Sequence, residues 1–197
     1  MSHARAGIAL FVVAGGLVLT AAVSPPAVDH GNAPEALTSA AAVGYLRIEG
    51  VQGGAAARGY EGWIEVTGLE WGVSNPSATD LASRTAGQAD LSPIVITKPL
   101  DKATPVLAQA CAAGRHYREA QLVFFTAGAT TPSGSVNLND VTIMETIVSG
   151  GQAAALDETL ALSFSRIEWT FLDIDPATGR PRGEVKAGWD VAANRPM

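Results

Sequence analysis

Thr159-Leu160-Ala161-Leu162-Ser163-Phe164-Ser165-Arg166-Ile167-Glu168-Trp169-Thr170-Phe171-Leu172-Asp173 decides the fold class. Leu160, Leu162 and Phe164 recur at every second residue, as the inward side chains of a half-buried strand do. The phase slips after Phe164 and resumes through Ile167, Trp169 and Phe171, so a bulge or bend is expected there. Asp175-Pro176-Ala177-Thr178-Gly179 follows as a turn. Working back toward the N-terminus, the same texture returns in Ser135–Leu138 and Val141–Val148, on either side of Asn139-Asp140. It is present in Glu119–Ala127, Ile94–Thr97, Tyr45–Val51 and Trp63–Trp71, the last with a bulge expected at Gly68. One helix interrupts the strands. Thr104 is placed to cap it and Pro105 suits its first turn, while Val106, Leu107, Ala110 and Cys111 recur at helical spacing. Gly114 closes it, with Arg115 and His116 at the negative end of its dipole. Ser74–Leu91 is a long polar excursion, a length that in compact domains usually serves function. Many short strands and one helix predict an all-β dominated domain, a barrel or a sandwich.

The chain has 197 residues, 20.2 kDa, a formal net charge of −6 and a pI near 5.0. Its acidic balance excludes a general nucleic-acid binder, which needs a basic footprint. Its single cysteine, Cys111, excludes an internal disulfide framework. The mean hydropathy of +0.19 is high, and part of it comes from Ala6–Val28, which holds no charge. His3 and Arg5 precede that stretch and Thr20-Ala21-Ala22 ends its apolar part, the order of a secretory signal peptide. The rival reading is an uncleaved membrane anchor, since the run is long enough to span a bilayer. Residues 1–22 are therefore expected to be a leader or anchor, the sole membrane contact of the chain. Residues 23–43 form a linker and 44–197 a single domain. Without residues 1–43 the chain keeps 12 bases against 17 acids, a net charge of −5.

Catalytic chemistry finds little support. His30 lies in the linker, His116 follows the helix, and no histidine pair has metal-ligand spacing. Gly53-Gly54 is followed by no helix, so it is no phosphate loop. Cys111 lies on the apolar helix face, the setting of an inert thiol. Glu168 near Arg166 reads as an exposed or interfacial ion pair, and Asp157/Glu158 and Asp173/Asp175 as solvated turn carboxylates. No catalytic residue, cofactor or metal is expected. Trp63, Trp71, Trp169 and Trp189 read mainly as core. Strand edges and a long polar arm favour head-to-tail assembly.

Several ordered blocks resemble the Hcp family, the tube protein of type VI secretion systems. The first are Tyr45-Leu46-Arg47-Ile48-Glu49-Gly50, Tyr60-Glu61-Gly62-Trp63-Ile64-Glu65-Val66 and Trp71-Gly72. Ser92 to Pro105 is similar to that family's strand-to-helix passage, and Gln109 to His116 to its helix and exit. Leu138-Asn139-Asp140-Val141, Leu162 to Thr170 and Gly188-Trp189-Asp190 continue the likeness, which spans roughly Gly44 to Asn194. The resemblance implies a small β-barrel of antiparallel strands with one flanking α-helix. Six copies would close a ring, and rings would stack into a hollow tube. Sheath, spike and effector proteins would be its partners, and the protein would be exported and not an enzyme. It also implies that the Ser74–Leu91 arm touches neighbouring subunits through Asp80, Arg84 and Asp90, with Glu168 at the same interfaces.

One feature departs from the family, whose tube subunits are built in the cytoplasm without a cleavable signal. A working leader would make the chain a Sec-exported ring or filament protein that binds a partner or cargo outside the cytoplasm. A start near Val43 would restore a cytoplasmic tube subunit.

Overall fold

The computed structural model describes residues 42–75, 88–151, 154–175 and 177–197. Twelve strands and one helix follow in the order β1 Gly44–Ile48, β2 Ile64–Val66, β3 Gly68–Glu70, β4 Val73–Ser74, β5 Asp90–Leu91, β6 Ile94–Pro99, α1 Thr104–Ala113, β7 His116–Phe124, β8 Gly134–Gly151, β9 Ala154–Ser163, β10 Arg166–Ile174, β11 Pro181–Asp190 and β12 Arg195–Pro196. The fold is all-β dominated, as the alternation indicated. All described pairings are antiparallel.

A ring of strands encloses the core in the order β2-β1-β7-β8-β9-β6-β3. Its hydrogen-bonded ladder is not closed. β2 pairs only β1 and β3 pairs only β6, and the chain itself completes the circle through Thr67. Thr67 donates its N–H to the Thr97 carbonyl at 2.8 Å. The break in Trp63–Trp71 therefore falls at Thr67 and not at Gly68. The reason is a change of partner rather than a glycine bulge. Leu46, Ile64, Ile96, Leu122, Leu138 and Leu160 fill the interior, all fully buried. Close packing of such side chains is the main favourable term in the fold.

The long strand expected over Thr159–Asp173 is two strands, β9 and β10, bent at Phe164-Ser165. β9 pairs the distal half of β8, from Thr142 to Gly151, and β10 pairs its proximal half, from Gly134 to Asn139. The phase slip in the sequence marks this corner. β8 itself runs unbroken through Asn139-Asp140, where the sequence texture separated two strands. Asp140 takes the left-handed φ of 52° instead. The buried parity of β8 shifts there, from Val136 and Leu138 to Val141 and Ile143. β7 also begins at His116, three residues earlier than its sequence texture suggested.

Gly114 ends α1 at φ 59°, the left-handed conformation that favours glycine. The start of α1 departs from expectation. Its N-cap is Ala103, which makes no side-chain cap. Asp101 instead accepts the Ala103 N–H through Oδ1 at 2.9 Å. The Thr104 hydroxyl is drawn away into a buried charged cluster.

That cluster continues the apolar stripes of two strands. Ile94 and Ile96 face the core on β6, and the next residue on that face is Lys98. Leu162 and Leu160 face it on β9, and the next is Glu158. Lys98 and Glu158 are directly paired across the ladder, and both are 0% exposed. Lys98 Nζ lies 2.8 Å from Glu158 Oε2 and 2.9 Å from Asp101 Oδ1. Thr104 donates to Glu158 Oε2 at 2.6 Å and Thr146 donates to Oε1 at 2.8 Å. Asp101 Oδ2 accepts the Gly54 N–H at 2.6 Å. One network therefore joins β6, β8, β9, the start of α1 and the loop after β1. The loop is tightly seated at this point, since a Cβ on Gly53 would lie 2.2 Å from the Trp63 carbonyl oxygen. The expectation that Asp157/Glu158 form a solvated turn thus fails for Glu158, because strand register carries it inward.

Burial alone pushes the Glu158 carboxyl up. The hydrogen bonds from Lys98, Thr104 and Thr146, with the Lys98 charge, outweigh it and hold its pKa below the ordinary carboxylate value. A depressed folded-state pKa gives stability that is present above the unfolded value and lost as pH falls through the folded one. Acid below about pH 4.5 should therefore weaken the fold through Glu158. Glu158→Gln should cost about 3–5 kcal/mol at neutral pH by leaving Lys98 unpaired. It should also flatten the acid limb of the stability curve. The double replacement Lys98→Met/Glu158→Leu should recover most of that loss. Urea unfolding at pH 7 and pH 4 checks both expectations; single and double variants of equal stability would refute them.

Candidate functional site

The outer face of the β1-β7-β8 sheet is polar. Arg118 binds the Glu49 carboxylate in two places, at 3.0 and 3.2 Å. Arg47 donates to Gln121 Oε1 at 3.2 Å and lies 5.1 Å from the centre of the Trp63 ring. These groups line a shallow groove of about 750 Å³. Arg118 and Glu49 satisfy each other there, and Gln121 and the Trp63 ring hold Arg47, as on a solvated wall.

Among the described residues no group of three or more His, Cys, Asp or Glu is placed to hold a metal ion. His116 Nδ1 lies 2.9 Å from Asp140 Oδ1, with both side chains well exposed. Cys111 is free and half-buried on the helix. Arg166 does not pair with Glu168, its expected partner. The two lie two residues apart on one face of β10, but Asp190 is directly across the ladder and binds Arg166 at 3.2 Å.

Of the four residues assigned to interfaces by resemblance, Asp80 and Arg84 lie outside the described residues. Asp90 sits on β5, exposed, in the two-stranded ribbon that β5 makes with β4. This ribbon is the base of the Ser74–Leu91 arm. It is tied to the C-terminal turn by the Ala89 N–H, which donates to Asn194 Oδ1 at 3.0 Å. Glu168 lies on the polar face of β10, half-buried, with Asn137 Nδ2 at 3.5 Å. No described hydrogen bond or ion pair brings Asp90 and Glu168 together.

Sequence reasoning singled out no apolar surface, and two stand out among the described residues. One lies where β10 and β11 run on beyond the ring. Ile167, Trp169 and Phe171 continue the core face outward, cross-paired with Trp189, Ala187 and Val185. Exposure rises along that row from 1% at Ile167 to 44% at Phe171 and 69% at Val185. With Trp71 and Val73 they border an apolar groove of about 320 Å³. The second lies at the far end of the β8–β9 hairpin, where Ile147 is 48% and Val148 49% exposed, beside exposed Met144 and Leu156. The signal in the sequence was apolar alternation that runs longer than the core can cover.

A family model described as "Type VI secretion system effector, Hcp" matches residues 45–171. Protein hcp1 of Pseudomonas aeruginosa is 29% identical over 113 residues, covering 54% of this chain and 68% of that protein. The crystal structure of Hcp1 from Salmonella typhimurium superposes with a TM-score of 0.65 at 25% identity, over 78% of this chain and 97% of that one. A structure described as a type six secretion system protein reaches a TM-score of 0.73 at 23% identity, over 80% of this chain and 100% of that one. The ordered sequence blocks, the strand ring with its flanking helix and a family match over most of the domain converge, and the chain belongs to the Hcp family, the structural ring and tube proteins of type VI secretion.

Proposed function

We propose that the domain from residue 44 to 197 is a subunit of a six-membered ring that stacks into a hollow, exported tube and carries effector proteins. The observation that carries this reading is the family match over residues 45–171 on a domain with exposed apolar surfaces at two separate places. An isolated soluble domain rarely leaves such patches uncovered, whereas a ring subunit covers them with its neighbours. The role is structural rather than catalytic. Sheath and spike proteins are the further partners that a tube subunit needs. Every domain carries a net −5, so a six-fold ring is strongly acidic. Such a ring favours protein cargo over nucleic acid.

A second reading rests on Ala6–Val28. Residues 1–22 would direct export and 23–43 would tether the domain, giving a ring or filament that captures a partner outside the cytoplasm. Among the described residues no helix is long and apolar enough to cross a membrane. Membrane contact would therefore belong to the N-terminal segment, which lies outside them.

Light scattering on a sizing column should give a mass about six times that of the protomer. A monomer at high concentration would overturn the ring. N-terminal sequencing of the protein taken from cells separates the two readings. A start near Val23 is expected for the leader, and a start near Val43 for the cytoplasmic tube.

A further inference from the structure

The two apolar surfaces lie at opposite ends of one strand. β8 begins at Gly134, directly paired with Phe171 at the groove. It ends in the hairpin that carries Ile147 and Val148. The 14 residue steps from Gly134 to Val148 are about 45 Å of strand contour. Both surfaces are exposed in the single copy, so neither covers the other within it. One is concave, between β4 and the β10–β11 extension, and the other is a projecting hairpin end.

Charge decides how two copies use them. No lysine or arginine occurs between Arg118 and Arg166, while Glu119, Asp140, Glu145, Asp157 and Glu158 lie in that interval. Residues 44–118 hold seven bases and seven acids, and residues 166–197 hold five of each. Lys98 neutralises Glu158 in the interior, and the hairpin itself carries the exposed carboxylates Glu145 and Asp157 with no base on either of its strands. Two hairpins placed tip to tip would bring like charges together. A hairpin placed against the β10–β11 extension meets a balanced surface, with Arg180, Arg182 and Lys186 on that side.

We propose that the β8–β9 hairpin end of one copy seats its Val148 and Leu156 side chains, which share the Glu158 face of the hairpin, in the Trp71/Val73/Phe171/Val185 groove of the next copy, head to tail. This contact rests on the ring reading and gives it residues. A head-to-tail contact uses two different patches on each copy, so it propagates until the rotation closes. A tip-to-tip contact would stop at a dimer.

The experiment uses the full chain and two variants at exposed positions, Val148→Asp/Leu156→Asp on the hairpin and Val185→Asp in the groove. Circular dichroism confirms that each is folded, with the serine replacements Val148→Ser/Leu156→Ser and Val185→Ser as substitutes should either aspartate form fail. Native mass spectrometry reads assembly. Each variant alone should be monomeric, with association weakened about thirtyfold or more, the scale of a lost central interface contact. Mixed one to one, they should form a heterodimer and nothing larger. The hairpin variant keeps an intact groove and the groove variant keeps an intact hairpin, so one contact survives. If the groove variant alone loses assembly, the groove is filled by another segment, such as residues 76–87, and the proposal fails. If only the hairpin variant loses assembly, the contact is tip to tip and the proposal fails. A wild-type ring that survives both variants overturns this contact alone. A wild-type monomer overturns the ring reading and this contact with it.

Discussion

The buried pair Lys98–Glu158 is the constraint on which the rest of the structure depends. It sits where two core-facing rows, Ile94-Ile96 and Leu162-Leu160, would otherwise continue as hydrocarbon. Burying two charges costs several kcal/mol for each ion unless the geometry satisfies them. Here every carboxylate oxygen and the ammonium are engaged, and the partners come from different parts of the chain. Thr104 belongs to the helix, Thr146 to β8, and Asp101 reaches both the helix start and Gly54. An apolar replacement could match the stability, but it would not dictate where the helix begins. The network does, because Thr104 leaves its capping role to complete it and Asp101 takes that role over. Helix α1 is thereby held against the ring of strands at one defined place, and Gly114 sets where it ends.

The fold class was legible in the sequence because alternation at period two survives wherever one face is buried. Element boundaries were less legible, and each miss has a physical reason. Asn139-Asp140 looked like a break between two strands, since those residue types tolerate positive φ. Asp140 does take positive φ, but within a continuing strand whose buried side changes there. Thr159–Asp173 looked like one strand because both halves alternate, and only the change of partner along β8 divides it. Glu158 looked solvated because carboxylates usually are. Its alternation with Leu160 and Leu162 was nevertheless in plain view, and on β6 Lys98 continued Ile94 and Ile96 in the same way. A charged residue that keeps phase with an apolar row, opposite a second such row ending in the other sign, was the available signal.

The candidate site was less legible than the fold. Polar residues of the Ser74–Leu91 arm came from likeness to a family. Of these, Asp90 lies on the ribbon at the arm's base, while Glu168 lies on the polar face of β10. The apolar surfaces came from neither composition nor motif. Val185 and Ile147 are ordinary strand residues in sequence. They become conspicuous only when the three-dimensional extent of the core is known, because exposure is a property of what lies opposite. The row Ile167-Trp169-Phe171 makes the point within five residues. Its chemistry is constant while its cover is lost step by step as β10 leaves the ring.

That loss of cover connects the internal architecture to assembly. The row that forms core at Leu138 and Ile167 runs on without interruption to Phe171 and Val185, so the same strands that stabilise the subunit also present its sticky end. A sheet extension of this kind is a liability for an isolated protein, since it offers apolar surface and open strand edges. The short β12 and Met197 after it cover Gly188 to Asp190 of the outer edge, which leaves most of β11 open among the described residues. Glu145 and Asp157, exposed on a hairpin whose strands hold no base, counter tip-to-tip pairing while leaving the balanced β10–β11 end available. Attraction at one end and like-charge repulsion at the other select a single polarity of contact. A subunit with one polarity adds copies in one rotational sense, and whether those copies close into a ring or run on as a filament then depends only on the angle at which β8 aims its hairpin relative to the groove beside β10. The Asp140 backbone and the β9–β10 corner, which bend β8 and its partners, are where the sequence sets that angle.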